Sequence, residues 1–201
     1  MMTRLFSLFI LVIFFNCNSN DHSHSHSHQK DGLHHWEIPS KDPDRIILTF
    51  NGSPSTKRAV TWRTDSSIKK AEAQIAVAGL NSDFVKEAST YTANTEEFDL
   101  GLYKSNKSLI VNYHSVVFEN LKPNTLYAYR VGFAENWSEW IQFKTAHDTY
   151  SPTQFVYFGD AQNDILNHWS RVIRMAYKTA PSASFVIHAG DLVDSAHKDN
   201  E

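Results

Sequence analysis

The sequence predicts two architectures in series: an all-β sandwich of roughly 100 residues, then the first βαβ unit of an α/β domain. Three observations predict it. Between residues 44 and 146, short β-branched and aromatic runs recur between turn clusters, with no helical period among them. After residue 153 the pattern changes to a nearly continuous apolar run, an amphipathic stretch and a second apolar run. Each of those two apolar runs ends in Gly-Asp, at Gly159-Asp160 and Gly190-Asp191.

Composition narrows the function classes. A chain of 201 residues has room for one or two ordinary domains. Its 5 Trp, 8 Tyr and 13 Phe need a core, which excludes disorder throughout. A net charge of −3 leaves no basic excess for neutralising a phosphate backbone, so no nucleic-acid-binding surface is expected. With Cys17 as the single cysteine there is no internal disulfide framework.

Residues 1–17 read as an export signal. Arg4 gives a positive start, and residues 5–15 are apolar apart from Ser7, a run shorter than the roughly 20 residues a bilayer-spanning helix takes. The segment closing on Cys17 resembles a bacterial lipoprotein signal, which implies a lipidated N-terminal cysteine and a protein exported to the cell envelope; a plain secretory signal is the alternative. Residues 18–43 form a polar linker in which His22, His24, His26 and His28 alternate with serine. Such a tract serves as a solvated tether, and neutral imidazoles in that pattern also suit weak capture of zinc, copper or nickel.

The expected sandwich, residues 44–146, begins with RIILTF (45–50) and AVTWRT (59–64), separated by the turn cluster NGSPSTK. AEAQIAVAG (71–79), EASTYTA (87–93) and HSVVFENL (114–121) continue the spacing. In LKPNTLYAYRVG, Leu121, Tyr127, Tyr129 and Val131 take inward positions after a Pro123-Asn124 turn. That stretch resembles the tyrosine corner of fibronectin type III domains, with Trp62 as the core tryptophan and SEWIQFKTA (138–146) as the last strand. His114 and Asp99 read as loop or surface residues, and the region as a scaffold or a substrate-side wall.

From residue 153 to 201 the elements follow a different rule. TQFVYFGD and SFVIHAGD read as parallel strands covered on both faces. Between them Ile165, Leu166, Trp169, Val172, Ile173, Ala176 and Tyr177 share one helical face, with Asn163 or Asp164 as N-cap and Pro181 ending the helix. Parallel strands bring both C-termini to one sheet edge, so Asp160 and Asp191 emerge together although 31 residues apart. Two ionised carboxylates about 4 Å apart repel by roughly 4 kcal/mol at an effective dielectric of 20. A shared proton relieves that, as does a hard cation, which the βαβ setting favours.

FGDAQND and HAGDLVD resemble the first two motifs of the calcineurin-like metallophosphoesterase superfamily. A fibronectin-like domain ahead of them resembles the purple acid phosphatase branch. The resemblance implies hydrolysis of a phosphate ester at two divalent or trivalent metal ions (iron, zinc or manganese), which activate water and hold the phosphate oxygens. It makes Asp160 a ligand of one metal and Asp191 the bridge between both. Asp194 stands where purple acid phosphatases carry an iron-binding tyrosine, and is a third candidate ligand. Gln162 stands where the superfamily commonly has His and this branch has Gly; with His188 it is a candidate to support the ligands by hydrogen bonding. No other catalytic side chain is implied.

The family's Gly-Asn-His and later histidine motifs fall downstream of the second Gly-Asp, beyond Glu201. The expectation is therefore an N-terminal part of a longer enzyme, inactive by itself, with residues 153–201 marginally stable. The competing expectation is a secreted fibronectin-type binding module without catalysis, which would show no metal dependence.

Overall fold

Alternating apolar positions become the inner faces of two antiparallel sheets. The computed structural model describes residues 38–103, 107–162 and 165–192. Nine strands build the sandwich: β1 (Asp44–Thr49), β2 (Arg58–Asp65), β3 (Glu72–Val77), β4 (Ser89–Thr92), β5 (Asn94–Tyr103), β6 (Lys107–Phe118), β7 (Leu126–Phe133), β8 (Asn136–Trp137) and β9 (Ile141–Lys144). One sheet runs β1-β2-β6-β5, and the other runs β4-β3-β7 with β8 and β9 both pairing to β7.

Between the sheets lies one core. Val60 and Trp62 from β2, Val116 and Phe118 from β6, Ala73 and Ile75 from β3, and Tyr127, Tyr129 and Val131 from β7 are all buried. Trp62 and Phe118 are fully excluded from water. Facing rings set the spacing: Phe118 meets Tyr91 edge-on at 5.4 Å, and Tyr127 stacks on Phe143 at 5.8 Å. On the outer face, Arg63 grips Asp44 with both ends of its guanidinium, at 2.8 Å and 2.5 Å, tying β1 to β2.

The tyrosine corner is present. Tyr127 Oη accepts a hydrogen bond from the Lys122 backbone N–H at 2.8 Å, closing the Pro123-Asn124 turn onto β7. Asn124 sits in the left-handed region at φ 50°, which asparagine tolerates better than most residues. Tyr127→Phe keeps the ring and removes the acceptor of the part-buried Lys122 N–H, so it is expected to cost about 1 kcal/mol in urea unfolding. A loss below a few tenths would show that the corner contributes little.

Two strands escaped the sequence reading. β5 carries NTEEFDLGLY, in which Phe98, Leu100 and Leu102 alternate only after a polar start, and it is a sheet edge bonded only to β6; Phe98 is 54% exposed. β8 has only two residues.

After the sandwich the chain forms β10 (Val156–Phe158), a π-helical turn (Ile165–Trp169), α1 (Ser170–Thr179) and β11 (Val186–His188). β10 and β11 pair in parallel, with Val156, Tyr157 and Phe158 opposite Val186, Ile187 and His188. Trp169 pins the helical segment to this sheet, meeting Phe158 edge-on at 4.8 Å and His188 at 5.6 Å. The expected N-caps Asn163 and Asp164 lie outside the described residues. α1 itself follows directly on the π turn, so Trp169 precedes it in helical geometry without a side-chain cap.

Candidate metal centre

Register places the acids. Phe158 lies opposite His188, and the Ala189 N–H donates to the Phe158 carbonyl at 2.8 Å, one step past the last pair. Continuing that register sets Asp160 opposite Gly190, with Asp191 one position further. Neighbouring strands are about 5 Å apart, so both carboxylates leave the sheet at its C-terminal edge on adjacent strands. Both residues are exposed there.

The two acids share an uncommon backbone state. Asp160 has φ 54° and Asp191 φ 48°, both in the left-handed region. Asp and Asn enter that region more readily than other non-glycine residues. The sharp bend therefore falls on each acid itself, and only in part on the glycine before it. Gly190, at φ 108°, needs to be glycine. Gly159 does not: its φ is ordinary, and a Cβ there would meet only the Ala189 Cβ at 3.8 Å. Ala161, 3% exposed, anchors the chain just after Asp160.

Of the predicted ligands, the fold brings Asp160 and Asp191 to one edge. Asp194 and Cys17 lie outside the described residues, as do the four serine-spaced histidines. Gln162 is half-buried two positions past Asp160. His188 turns its ring to Trp169 on the helix-covered side, and neither ring nitrogen finds a hydrogen-bond partner among the described residues. No group of three His, Cys, Asp or Glu side chains converges at metal-binding distance among the described residues.

In the sandwich, the loop or surface placement of His114 is corrected. His114 sits inside β6 at 1% exposure, because the inward alternation of β6 continues through it. Thr64 Oγ1 donates to the Asp65 carbonyl at 3.0 Å and so accepts from His114 Nε2–H at 2.8 Å; Nδ1 then accepts from Thr95 Oγ1 at 2.9 Å. Both nitrogens are used and the ring is neutral, so it is a strand-bridging group without spare proton chemistry. Burial pulls its pKa down to about 4. The unfolded chain binds this proton near pH 6.5, so unfolding takes up a proton between the two values. Stability from this group is full above pH 6.5 and is lost as pH falls toward 4, by up to about 3 kcal/mol. Urea unfolding at pH 7 and pH 4.5 is expected to show that loss; a His114→Gln variant with the same pH slope would assign it elsewhere.

Asp99 is at the surface, as the sequence indicates. The Ser108 hydroxyl and then the Gly101 N–H hold its carboxylate below the ordinary value while pinning the β5 bulge.

The family model described as "Purple acid Phosphatase, N-terminal domain" matches residues 43–145. The chain belongs to the purple acid phosphatase N-terminal domain family. The match spans the sandwich from just before β1 to just past β9. No curated protein matches the chain. Among solved structures, one described as a structure of PhoD is similar at 16% identity and TM-score 0.48, over 77% of this chain and 28% of that one. The chicken CNTN1 FN1–FN3 domains are similar at 22% identity and TM-score 0.36, over 54% and 31%. A redesigned β-sandwich protein is similar at 18% identity and TM-score 0.34, over 54% and 97%. The purple acid phosphatase-type chain thus spans under a third of the first two of these structures. The match ends before Asp160, so it assigns the sandwich to a phosphatase family and leaves the carboxylate edge to its own geometry.

Proposed function

We propose that the protein is a metal-dependent phosphoric ester hydrolase of the metallophosphoesterase type, with Asp160 and Asp191 among its metal ligands. One observation carries the reading. Two parallel strands end alike, each in an acid held at positive φ at the ligand-binding edge of the sheet, directly after a purple acid phosphatase N-terminal domain. A helix cap or turn explains one such aspartate; it does not explain the repetition on adjacent strands.

When bound, a pair of iron, zinc or manganese ions would supply Lewis-acid activation of water and charge neutralisation at the phosphate. The chain's own contribution would be to hold Asp160 and Asp191 at one edge as ligands, and Asp194, three residues after Asp191 in the sequence, would be a further candidate ligand. Exposed apolar side chains support a larger sheet around this unit: Tyr157 and Ile187 on the strands, Val172, Ile173 and Met175 on α1. A parallel sheet of this kind is stable when covered on both faces.

Hydrolysis of p-nitrophenyl phosphate by the protein translated from its whole reading frame tests the reading, residues 1–201 alone being expected to be inactive. Turnover restored by Mn²⁺ or Zn²⁺ and abolished by chelation is expected; turnover indifferent to chelation, or no turnover with any of these metals, would favour the binding-module alternative.

Export and membrane attachment belong to the same proposal, supported by the apolar run before Cys17 and the polar histidine linker after it. Cys17→Ser is expected to move the protein from the membrane fraction to the soluble one. Retention in the membrane fraction would remove the lipid anchor from the account.

A further inference from the structure

Phe155 and Phe185 each precede the first residue of their strand, β10 and β11. Their rings stack at 5.3 Å with planes 2° apart. Phe185 also meets Phe50 edge-on at 5.3 Å, and Phe50 belongs to the sandwich, directly after β1. Over the Phe50 ring lies the Arg58 guanidinium, 4.6 Å from its centre and 5.6 Å from that of Phe143. Arg58 is itself fixed, donating to the Pro54 carbonyl at 2.7 Å and the Lys57 carbonyl at 2.8 Å. Phe143 stacks in turn on Tyr127 of the core. A path of ring contacts, bridged between Phe50 and Phe143 by the Arg58 guanidinium, therefore runs from the start of β10 to the middle of the sandwich.

Backbone bonds reinforce both ends. The Ala146 N–H donates to the Pro54 carbonyl at 3.0 Å where the chain leaves the sandwich. The Ser184 N–H donates to the Gln154 carbonyl at 2.8 Å, extending the β10–β11 ladder down through the two phenylalanines.

We propose that Phe50, Phe155 and Phe185, backed by Arg58, form a fixed joint by which the sandwich grips the parallel sheet at the edge opposite Asp160 and Asp191. The opposition follows from chain direction. Phe155 and Phe185 stand at the N-terminal ends of the strands and the acids at the C-terminal ends. Asp160 lies five positions after Phe155, about 16 Å at the rise of an extended strand. Through this contact the sandwich acts as a base that sets the direction of the carboxylate edge; the turn that carries Phe50 is not a wall of the substrate site. Ring geometry explains why the contact holds: Phe50 and Phe155 stay about half exposed, and the cluster gains chiefly from edge and stacked ring contacts and from the cation over Phe50. The inference concerns orientation only and stands whether or not the edge binds metal.

Residual dipolar couplings on the ¹⁵N-labelled chain test it. In the wild type one alignment tensor is expected to fit the amides of β2, β6 and β7 together with those of β10, α1 and β11. In Phe50→Ala, and in Phe185→Ala, the same amides are expected to need two tensors, while the sandwich amides still fit their wild-type geometry. Phe98→Ala removes a comparably exposed phenylalanine elsewhere on the sandwich and is expected to leave one tensor. Two tensors in the wild type, or one tensor retained in Phe50→Ala, would overturn the joint.

Discussion

In the protein translated from its whole reading frame, Asp191→Asn is expected to lower metal-dependent phosphate ester hydrolysis by at least ~100-fold. Groups that merely orient a metal ligand are worth 10–100-fold in affinity or activity, and a direct bridging ligand is worth more. Asparagine is the informative replacement. It keeps the volume and enters the left-handed region that Asp191 occupies at φ 48°, so the fold is retained and only the charge is lost. Asp99→Asn provides the comparison, because Asp99 is an exposed carboxylate held by Ser108 and Gly101 on the β5 edge. Its turnover is expected to match the wild type. Steady-state kinetics with p-nitrophenyl phosphate at saturating Mn²⁺ distinguish the two variants. Equal turnover in Asp191→Asn and wild type would remove Asp191 from the site.

The largest effect on folding is expected at Trp62. Its side chain is wholly buried at the centre of the sandwich, 5.4 Å from the His114 ring and among the residues of both sheets. Trp62→Ala removes that volume from a close-packed core and is expected to cost about 3–5 kcal/mol. Against a typical stability of roughly 5–15 kcal/mol, that is a large fraction of the total, and it leaves the sandwich partly unfolded at room temperature if the wild type sits near the lower end. Trp62→Phe is expected to cost clearly less. The indole Nε1 is buried with no hydrogen-bond partner among the described residues, so replacing the indole also removes an unsatisfied donor. Chemical unfolding followed by far-ultraviolet circular dichroism ranks the two. A Phe variant as unstable as the Ala variant would mean that the indole N–H is satisfied in solution and contributes to the core.

The sandwich was legible because burial imposes a period of two. Val60 and Trp62, Val116 and Phe118, and Tyr127, Tyr129 and Val131 announce inward faces in the sequence, and the structure buries each. The same rule extends to His114, two positions before Val116, which the sequence reading left on the surface because a polar type outweighed its place in the alternation. β5 is harder to read because it is an edge strand that opens on the polar run NTEE and leaves Phe98 largely exposed. The order strand–helix–strand and the two Gly-Asp ends were legible from apolar runs and their punctuation. Unreadable from sequence was the shared left-handed conformation of Asp160 and Asp191, because aspartate adopts it without any marker beside it. Equally hidden was the meeting of Phe50 with Phe185. A phenylalanine ahead of each parallel strand is an ordinary apolar signal until the sandwich turn is known to lie beside it.

Broadening of amide signals by Mn²⁺ is the most direct measurement of the claim that Asp160 and Asp191 hold a metal at the sheet edge. On the ¹⁵N-labelled chain, sub-stoichiometric Mn²⁺ is expected to broaden the amides of Gly159 to Gln162 and Gly190 to Leu192 first, and Asp191→Asn is expected to abolish that effect while the sandwich amides stay sharp. Broadening confined to the histidine segment around His22 to His28, with the amides of Asp160 and Asp191 unaffected, would contradict the account.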